Sequence, residues 1–181
     1  MNQDRVNVLL NTPRMFWVEL SKENTTAGLL DFIRKYLDEN SVGVEVGSFQ
    51  GVSSEMFALF VGHLTCVDPF AIGDPEIDKH LSDAEIVFDE MAKGYPNITK
   101  LKLTSFEAAK LFPDASIDFV YIDGMHDYVN CRGDIEVWYP KVKEGGIIAG
   151  HDHNYSDVAL AVRDTVKSVE VFSDYTWAHF K

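Results

Sequence analysis

Cysteine is scarce in this sequence, and long apolar runs are absent. Cys66 and Cys131 are the two cysteines, and their spacing suggests no pair, so we read both as reduced, buried thiols. No stretch approaches the roughly 20 apolar residues of a membrane helix. The opening residues, MNQDRVNVLLNTPR, lack the apolar core and the cleavage site of a secretory signal. We therefore expect a cytoplasmic protein with no membrane partner.

Basic residues are also few. The sequence has 16 Lys and Arg against 29 Asp and Glu, which gives a net charge of -13, and the basic residues form no block. A protein that binds duplex nucleic acid needs clustered Lys and Arg to replace the counterions of the phosphates. We therefore expect neither nucleic acid nor an anionic membrane surface as a partner.

Internal repeats, low-complexity tracts and Pro/Ser-rich linkers are missing, so the 181 residues are predicted to form a single domain, 1–181. Apolar runs with strand character alternate with segments of helical spacing. The strand-like runs are Val42–Val46, Leu64–Val67, Ile98–Leu103, Ile117–Ile122 and Ile147–Ala149. This alternation predicts an α/β fold in which a mostly parallel sheet is covered by helices on both faces.

Several predictions concern the segments around these strands. Ser82 is predicted to begin the helix after the second strand, and Ser105 the short helix after the third. Residues 71–83, AIGDPEIDKHLSD, are then the longest irregular stretch and a candidate specificity loop. The tail VEVFSDYTWAHFK alternates around a turn and predicts a hairpin. Within residues 1–23, the segment RMFWVEL is either a lid over the site or a segment packed on the core.

The stretch VGVEVGSFQGVSS, residues 42–54, joins a buried strand to a helix through two glycines. Its G-x-x-x-G spacing, with no lysine after it, matches neither the G-x-G-x-x-G dinucleotide fingerprint nor a phosphate loop. Gly47 and Gly51 allow a sharp turn and a close approach of backbone to a ligand, while Glu45 adds an acid at the strand end. The stretch is therefore either a plain tight turn or the grip on a ligand with a ribose and a cationic amino-acid part.

Asp68 ends the next strand, in HLTCVDPF. Dinucleotide-binding folds carry an acid about 20 residues beyond the glycine turn, where it takes the ribose hydroxyls. A carboxylate accepts hydrogen bonds from two neighbouring hydroxyl groups. Asp68 is therefore a candidate ribose ligand, and the alternative is that it only initiates a turn before Pro69.

VEVGSFQG followed by VDPF resembles the cofactor site of class I S-adenosylmethionine-dependent methyltransferases. The resemblance runs from about Gly28 to the end of the chain. It implies a Rossmann-like methyltransferase fold with seven strands in the order 3-2-1-4-5-7-6, the last one antiparallel, and S-adenosylmethionine as cofactor. The positions that it assigns to the cofactor are Glu45, Gly47, Ser48, Gly51, Asp68, Pro69, Asp123 and, beside the adenine, Thr104–Ser105–Phe106.

A second group of polar residues follows two later strands, in DFVYIDGMHDY and GGIIAGHDHNY. Ligands bind outside the carboxyl ends of strands in such sheets, so Asp123, His126, His151, Asp152 and His153 should crowd one rim. Three interpretations stay open for them. The acids cap turns, or Asp123, His151 and Asp152 hold Mg²⁺ or Ca²⁺, or His151, Asp152 and His153 form a 2-His-1-carboxylate iron site. The iron site is disfavoured because adjacent residues of a strand point to opposite faces.

The pair IDG-x-H-x-Y and GG-I-I-A-G-H-D resembles the metal-dependent O-methyltransferases that include macrocin O-methyltransferase and the cephalosporin hydroxylase-like proteins. That resemblance implies a divalent cation such as Mg²⁺ on Asp123, His151 and Asp152, although His151 departs from the oxygen ligand usual in catechol-type relatives. It also implies catalytic roles for Asp123 and for His126, which falls near the acceptor hydroxyl. The N/D-P-P-Y/F/W stretch of amide and nucleobase methyltransferases is missing, and its absence favours an oxygen acceptor.

The predicted function is methyl transfer from S-adenosylmethionine to a hydroxyl of a small molecule, assisted by a divalent cation. An unperturbed imidazole titrates near pH 6.5, about where His126 would need to take the proton. Two other functions stay open: a non-catalytic adenosyl- or nucleotide-binding protein, and a dehydrogenase, although the third glycine is missing. A homo-oligomer is a further expectation, because a chain of this length could take acceptor contacts from a second subunit.

Overall fold

The computed structural model describes residues 26–181, and a seven-stranded sheet lies at its centre. In chain order the strands are β1 (Val42–Val46), β2 (His63–Val67), β3 (Ile98–Leu101), β4 (Ile117–Ile122), β5 (Val142–Gly150), β6 (Glu170–Val171) and β7 (Trp177–Phe180). They lie side by side in the order β3-β2-β1-β4-β5-β7-β6. Pairs among β1 to β5 are parallel, whereas β7 is antiparallel to both β5 and β6. The predicted strand order and its antiparallel ending are confirmed.

Six α-helices surround the sheet within the described range. They are α1 (Ala27–Tyr36), α2 (Val52–Ala58), α3 (Pro75–Ala92), α4 (Ser105–Ala109), α5 (Tyr128–Trp138) and α6 (Ser156–Thr165), with a short 3-10 turn at Tyr139–Lys141. Helices α1 to α3 contribute to one buried apolar cluster, and α4 to α6 contribute to the other. Each face of the sheet is therefore covered by three consecutive helices, as the sequence predicted.

Strand β4 shows how the sequence buries both faces. Val120 and Ile122 belong to the cluster beneath α4 to α6, while Phe119 and Tyr121 belong to the cluster beneath α1 to α3. Successive side chains of a strand point to opposite faces, so the four residues from Phe119 to Ile122, which are covered on both sides, are all apolar. Cys66 and Cys131 lie in these clusters as buried, free thiols, one in each.

The helix after β2 begins earlier than predicted. It begins at Pro75 rather than after Ser82, because the Asp74 carboxylate caps it by accepting hydrogen bonds from the backbone N–H groups of Glu76 and Ile77. Proline suits the first helical position, where its missing N–H costs nothing. The prediction that residues 71–83 form an irregular loop is therefore wrong, since residues 75–83 form the first turns of α3.

Smaller corrections concern α4 and β5. Thr104, not Ser105, caps α4, through a reciprocal pair of hydrogen bonds with Glu107. Strand β5 already begins at Val142, five residues before the predicted run Ile147–Ala149. The predicted hairpin is confirmed as β6 and β7. Among residues 26–181 no helix has the length and apolar character that a membrane crossing requires, and the predicted lid in RMFWVEL lies outside the described residues.

Candidate active site

Four strands of the sheet end along one edge, and polar residues follow each end. The last residue of β1, Val46, pairs with Val67 of β2 on one side and with Ile122 of β4 on the other. Ile122 in turn pairs with Gly150 at the end of β5. The glycine turn, Asp68, Asp123 and the β5–α6 loop therefore start side by side, as the predicted rim requires.

Gly47 allows the ends of β1 and β4 to lie close together. It has φ +89, and a Cβ added to it would lie 2.1 Å from the carbonyl oxygen of Asp123. Its N–H donates to the carbonyl of Val67, while the N–H of Asp123 donates to the carbonyl of Val46. A side chain at this position would break the junction of three strand ends.

A glycine is required at position 51 for a different structural reason. It adopts φ +82 where α2 begins, and an added Cβ would lie 2.2 Å from the Met91 methyl carbon. Gly51 therefore lets α2 begin sharply and pack against α3, which is enough to explain a glycine there.

Asp68 holds the glycine turn in place. One carboxylate oxygen accepts a hydrogen bond from the N–H of Phe49 at 2.9 Å, and the other accepts one from Phe70 at 2.7 Å. Both phenylalanines have positive φ, 44° and 50°, which is a strained conformation for a non-glycine residue. A carboxylate offers about four lone-pair sites, so Asp68 keeps acceptor capacity for the hydroxyls of a ribose.

Glu45 is a buried acid beneath α2. Its side chain is 0% exposed, and the hydroxyls of Ser53 and Ser54 donate to its two carboxylate oxygens. Burial raises the pKa of Glu45 to about 7, while the hydroxyl donors act to lower it. The sequence suggested Glu45 as an acid facing the ligand, whereas its contacts in the structure are with the first turn of α2. Ser53 and Ser54 were missed, although they belong to the same VGVEVGSFQGVSS stretch as Gly51.

Ser48 is the residue of the glycine turn with unused hydrogen-bonding capacity. Its side chain is 3% exposed, and its Oγ has no hydrogen-bond partner within the described part of the chain. It faces Glu45 closely enough to lower the pKa of that acid, but it does not reach hydrogen-bond geometry. A buried hydroxyl without a partner is unusual in a folded protein, so Ser48 fits a position that a ligand completes.

Ser105 turns its hydroxyl toward α5. Its Oγ accepts a hydrogen bond from Trp138 Nε1 at 2.9 Å. Asp134, which the sequence did not single out, is buried beside it; burial raises the pKa of Asp134 to about 6, and the Ser105 hydroxyl acts to lower it. Ser105 therefore joins α4 to α5, and its predicted contact with an adenine stays a prediction.

Asp123, His126 and Asp152 converge at the other half of the rim. His126 Nε2 lies 2.9 Å from Asp152 Oδ2 and 3.5 Å from Asp123 Oδ1. The three residues each offer one potential ligand atom, and these atoms lie within 4.8 Å of one another. The two carboxylates raise the pKa of His126 to about 10. The unperturbed value near 6.5 that the sequence suggested therefore does not apply to His126 while it contacts both acids. His126 and His151 hold the pKa of Asp152 well below its usual range, against the opposing effect of burial.

His151 and His153 occupy other positions. His151 Nδ1 lies 3.3 Å from Asp152 Oδ1, and its Nε2 is buried without a hydrogen-bond partner among the described residues. His153 donates its backbone N–H to the carbonyl of Tyr175, and burial lowers the pKa of its imidazole. In the range 26–181 neither belongs to the converging group. The sequence suggested Asp123, His151 and Asp152 as cation ligands, whereas the residues that converge are Asp123, His126 and Asp152.

Tyr155 completes this half of the rim, and the sequence gave no signal for it. Its ring stacks on the His126 imidazole, with the ring centroids 5.7 Å apart and the planes 17° from parallel. The contact joins two residues from different loops, and an exposed tyrosine in HNYSD has no pattern that predicts a partner.

Comparisons with known sequences give the family of the chain. A family model described as "Methyltransferase domain" matches residues 44–153. The uncharacterized protein y4gI of Sinorhizobium fredii (strain NBRC 101917 / NGR234) is 31% identical over 116 residues, which cover 60% of this chain and 13% of that protein. The chain thus spans a small part of this relative's length.

Solved structures share the fold at low sequence identity. An rRNA methylase from Streptococcus thermophilus superposes with a TM-score of 0.63 at 13% identity, covering 87% of this chain and 95% of that one. A Streptococcus mutans protein assigned as a methyltransferase, solved with SAH, gives 0.62 at 13% identity, covering 92% and 97%. CalS11, a TDP-rhamnose 3'-O-methyltransferase of calicheamicin biosynthesis, gives 0.59 at 16%, covering 99% and 92%.

The family match spans the glycine turn, Asp68 and the converging group at the ends of β4 and β5. At such low sequence identities the solved structures support the fold alone, and they agree with the observed strand order. The match and the fold together support S-adenosylmethionine as the cofactor. The chain belongs to the methyltransferase domain family and has the fold of the class I S-adenosylmethionine-dependent methyltransferases.

Proposed function

We propose that this protein is an O-methyltransferase that uses S-adenosylmethionine and a divalent cation to methylate a hydroxyl group of a small molecule. The observation that carries the proposal is one edge of the sheet, where a glycine turn and Asp68 lie beside the group formed by Asp123, His126 and Asp152. A cofactor grip and a cluster of cation ligands on adjacent strand ends match the needs of a transfer to oxygen.

The residues of the glycine turn fit the cofactor. Gly47 keeps backbone close to the ligand, Ser48 offers a buried hydroxyl that has no partner among residues 26–181, and Asp68 retains acceptor capacity for ribose hydroxyls. When bound, S-adenosylmethionine supplies a sulfonium methyl group, whose S–C bond breaks as the O–C bond to the acceptor forms. The contribution of these residues is to hold the reactants in line, and such positioning supplies much of the rate of a displacement.

The converging group fits a divalent cation. Asp123 and Asp152 offer the hard oxygen atoms that Mg²⁺ prefers, and the nitrogen of His126 also suits Mn²⁺ and other transition ions. When bound, a cation lowers the pKa of a hydroxyl on it and fixes its direction. The His126 side chain is 48% exposed, against 28% for Asp123 and 18% for Asp152. His126 is therefore the member that an acceptor meets first. Its predicted role as general base is an alternative to its role as a ligand, because a ring nitrogen bound to a cation has no lone pair left for a proton.

Turnover with and without cation tests this proposal. The protein is incubated with S-adenosylmethionine and a panel of phenols, catechols and sugar glycosides, and SAH release is measured with EDTA and after adding Mg²⁺ or Mn²⁺. We expect acceptor-dependent release that EDTA abolishes and either cation restores. Asp152→Asn should lose this activity, while Asp157→Asn, an exposed acid in the first turn of α6, should keep it.

Three other outcomes contradict parts of the proposal. SAH release that EDTA leaves unchanged would contradict the role of the cation. Transfer to amines but to no hydroxyl in the panel would remove O-methylation. Tight SAH binding, with no SAH formed from S-adenosylmethionine in the presence of any acceptor, would favour the alternative of a non-catalytic adenosyl-binding protein.

A further inference from the structure

We propose that Tyr155 is a positioning residue that holds the His126 imidazole against Asp123 and Asp152. The inference rests on the proposed function, because it concerns the group assigned there to the cation. It begins from the stacked pair, in which the Tyr155 ring lies 17° from parallel to the imidazole at a centroid distance of 5.7 Å. The Tyr155 ring contacts the imidazole of His126 and offers no ligand atom to the group formed by Asp123, His126 and Asp152, so its effect passes through His126.

The loop that carries Tyr155 is anchored at several points. The His151 N–H donates to the carbonyl of Ile122, and the His151 carbonyl accepts from Trp177 Nε1, both at 3.1 Å. The His153 N–H donates to the carbonyl of Tyr175 at 3.1 Å. These bonds tie the loop to β4 and to the β6–β7 hairpin, so the loop presents its side chains from a fixed base.

A tight turn in this loop brings two restraints onto His126. The Tyr155 N–H closes the turn on the carbonyl of Asp152 at 2.9 Å, and Asp152 adopts φ 58, in the left-handed region that costs about 1 kcal/mol or more outside glycine. In this conformation the Asp152 carboxylate meets the edge of the imidazole at Nε2, while Tyr155 covers its face. The edge contact fixes where Nε2 lies, and the stacking contact fixes the plane of the ring.

Tyr155 has no role in the core that explains its position. The residue is 53% exposed, and among residues 26–181 it belongs to neither buried apolar cluster and makes no side-chain capping bond at the start of α6. Replacing it should therefore leave the fold intact. Stacking between an aromatic ring and an imidazole depends on the ring and not on the phenol hydroxyl, so phenylalanine should replace tyrosine without loss.

The test compares Tyr155→Leu with Tyr155→Phe. Phe180→Leu is the matched control, because Phe180 is similarly exposed, at 48%, and forms an aromatic pair with Tyr36 away from the site. Two quantities are measured: the ¹H–¹³C NMR signals of the His126 ring, assigned with His126→Gln, and the dissociation constant for Mn²⁺ alone. Residues that orient a metal ligand typically change metal affinity by 10–100-fold when they are replaced.

We expect Tyr155→Leu to shift the His126 signals out of the ring current of the tyrosine and to weaken Mn²⁺ binding by roughly 10-fold. Tyr155→Phe and Phe180→Leu should keep both quantities close to those of the unmodified protein. Unchanged His126 signals, or an unchanged Mn²⁺ affinity in Tyr155→Leu, would overturn the inference. A protein that binds no Mn²⁺ before any substitution would instead contradict the proposed function, and the NMR signals would still report whether Tyr155 orients the ring.

Discussion

A side chain at Gly47 would meet the backbone of Asp123, because an added Cβ lies 2.1 Å from the Asp123 carbonyl oxygen. This contact joins the cofactor half of the site to the half that holds the acids and His126. Gly47 thus allows the close packing of β1 and β4 and, in the proposed site, the close approach of the cofactor, so its replacement should affect both.

Gly47→Ala should unfold the protein more easily and abolish SAH binding. The left-handed backbone alone costs an alanine about 1–2 kcal/mol, and the clash adds a further penalty of about 1–3 kcal/mol because backbone atoms must move. Chemical denaturation and calorimetric titration with SAH measure the two effects.

Gly73→Ala is the matched control for this substitution. Gly73 has nearly the same φ, +87 against +89, but a Cβ added there has no heavy atom within 4 Å. It should therefore show the backbone penalty without the clash. Equal losses of stability in the two variants would mean that the contact with Asp123 does not matter.

Asp68→Asn should weaken SAH binding by about 10-fold or more, because a hydrogen bond to a charged group contributes about 1.5–3 kcal/mol. It should also destabilise the protein, since one amide oxygen cannot replace two carboxylate oxygens that accept from Phe49 and Phe70. Asp118→Asn serves as a control, because Asp118 also accepts a backbone N–H, that of Val42, at the opposite edge of the sheet. A similar loss of SAH affinity in both variants would argue against a ribose contact at Asp68.

The stability of the protein should depend on pH through Glu45. The folded protein keeps the Glu45 proton up to about pH 7, whereas an exposed glutamate releases it near 4.5. The contribution of this group to the free energy of unfolding is therefore complete below pH 4.5 and falls as the pH rises through 7, by about 3 kcal/mol at most. Denaturation of the unmodified protein and of Glu45→Gln between pH 4.5 and 8 measures it. The variant should lose this slope, and parallel curves for the two proteins would show that Glu45 is ionised in the fold.

Mn²⁺ affinity should distinguish the two histidines of the rim. His126→Gln removes a member of the converging group and should weaken Mn²⁺ binding by roughly 10-fold or more. His151→Gln removes a neighbour of Asp152 that lies outside this group, and its effect should be smaller. If His151→Gln has the larger effect, the ligand set that the sequence suggested, Asp123, His151 and Asp152, is the correct one.

Much of the fold could be predicted because strands, turns and helix starts depend on residues close together in the sequence. The apolar runs in β1 and β4 indicated parallel strands covered on both faces, and the glycine turn and Asp68 were predicted to lie together, as they do. The start of α3 was misplaced because Ser82 was taken as the N-cap, whereas Asp74 followed by Pro75 is equally typical of a helix start.

Contacts between loops could not be predicted in the same way. Alternation along a strand says which residues share a face, but Asp152 has left the strand and adopts φ 58, so alternation no longer describes it. That turn brings His126 rather than His151 into the converging group and places Tyr155 on its ring. Glu45 was predicted at the right strand end. The hydrogen bonds that it accepts from the hydroxyls of Ser53 and Ser54 were not predicted, because no spacing rule pairs a strand residue with the first turn of the next helix.

Calorimetric titration of the protein with SAH, together with its melting temperature, tests the central claim most directly. We predict one site per chain and a rise in Tm of roughly 5–10 °C at 100 times the dissociation constant, where binding adds about 2.7 kcal/mol to the free energy of unfolding. Gly47→Ala should show neither effect. No heat of binding and an unchanged Tm at roughly 1 mM SAH, which would put any dissociation constant in the millimolar range or above, would contradict the account.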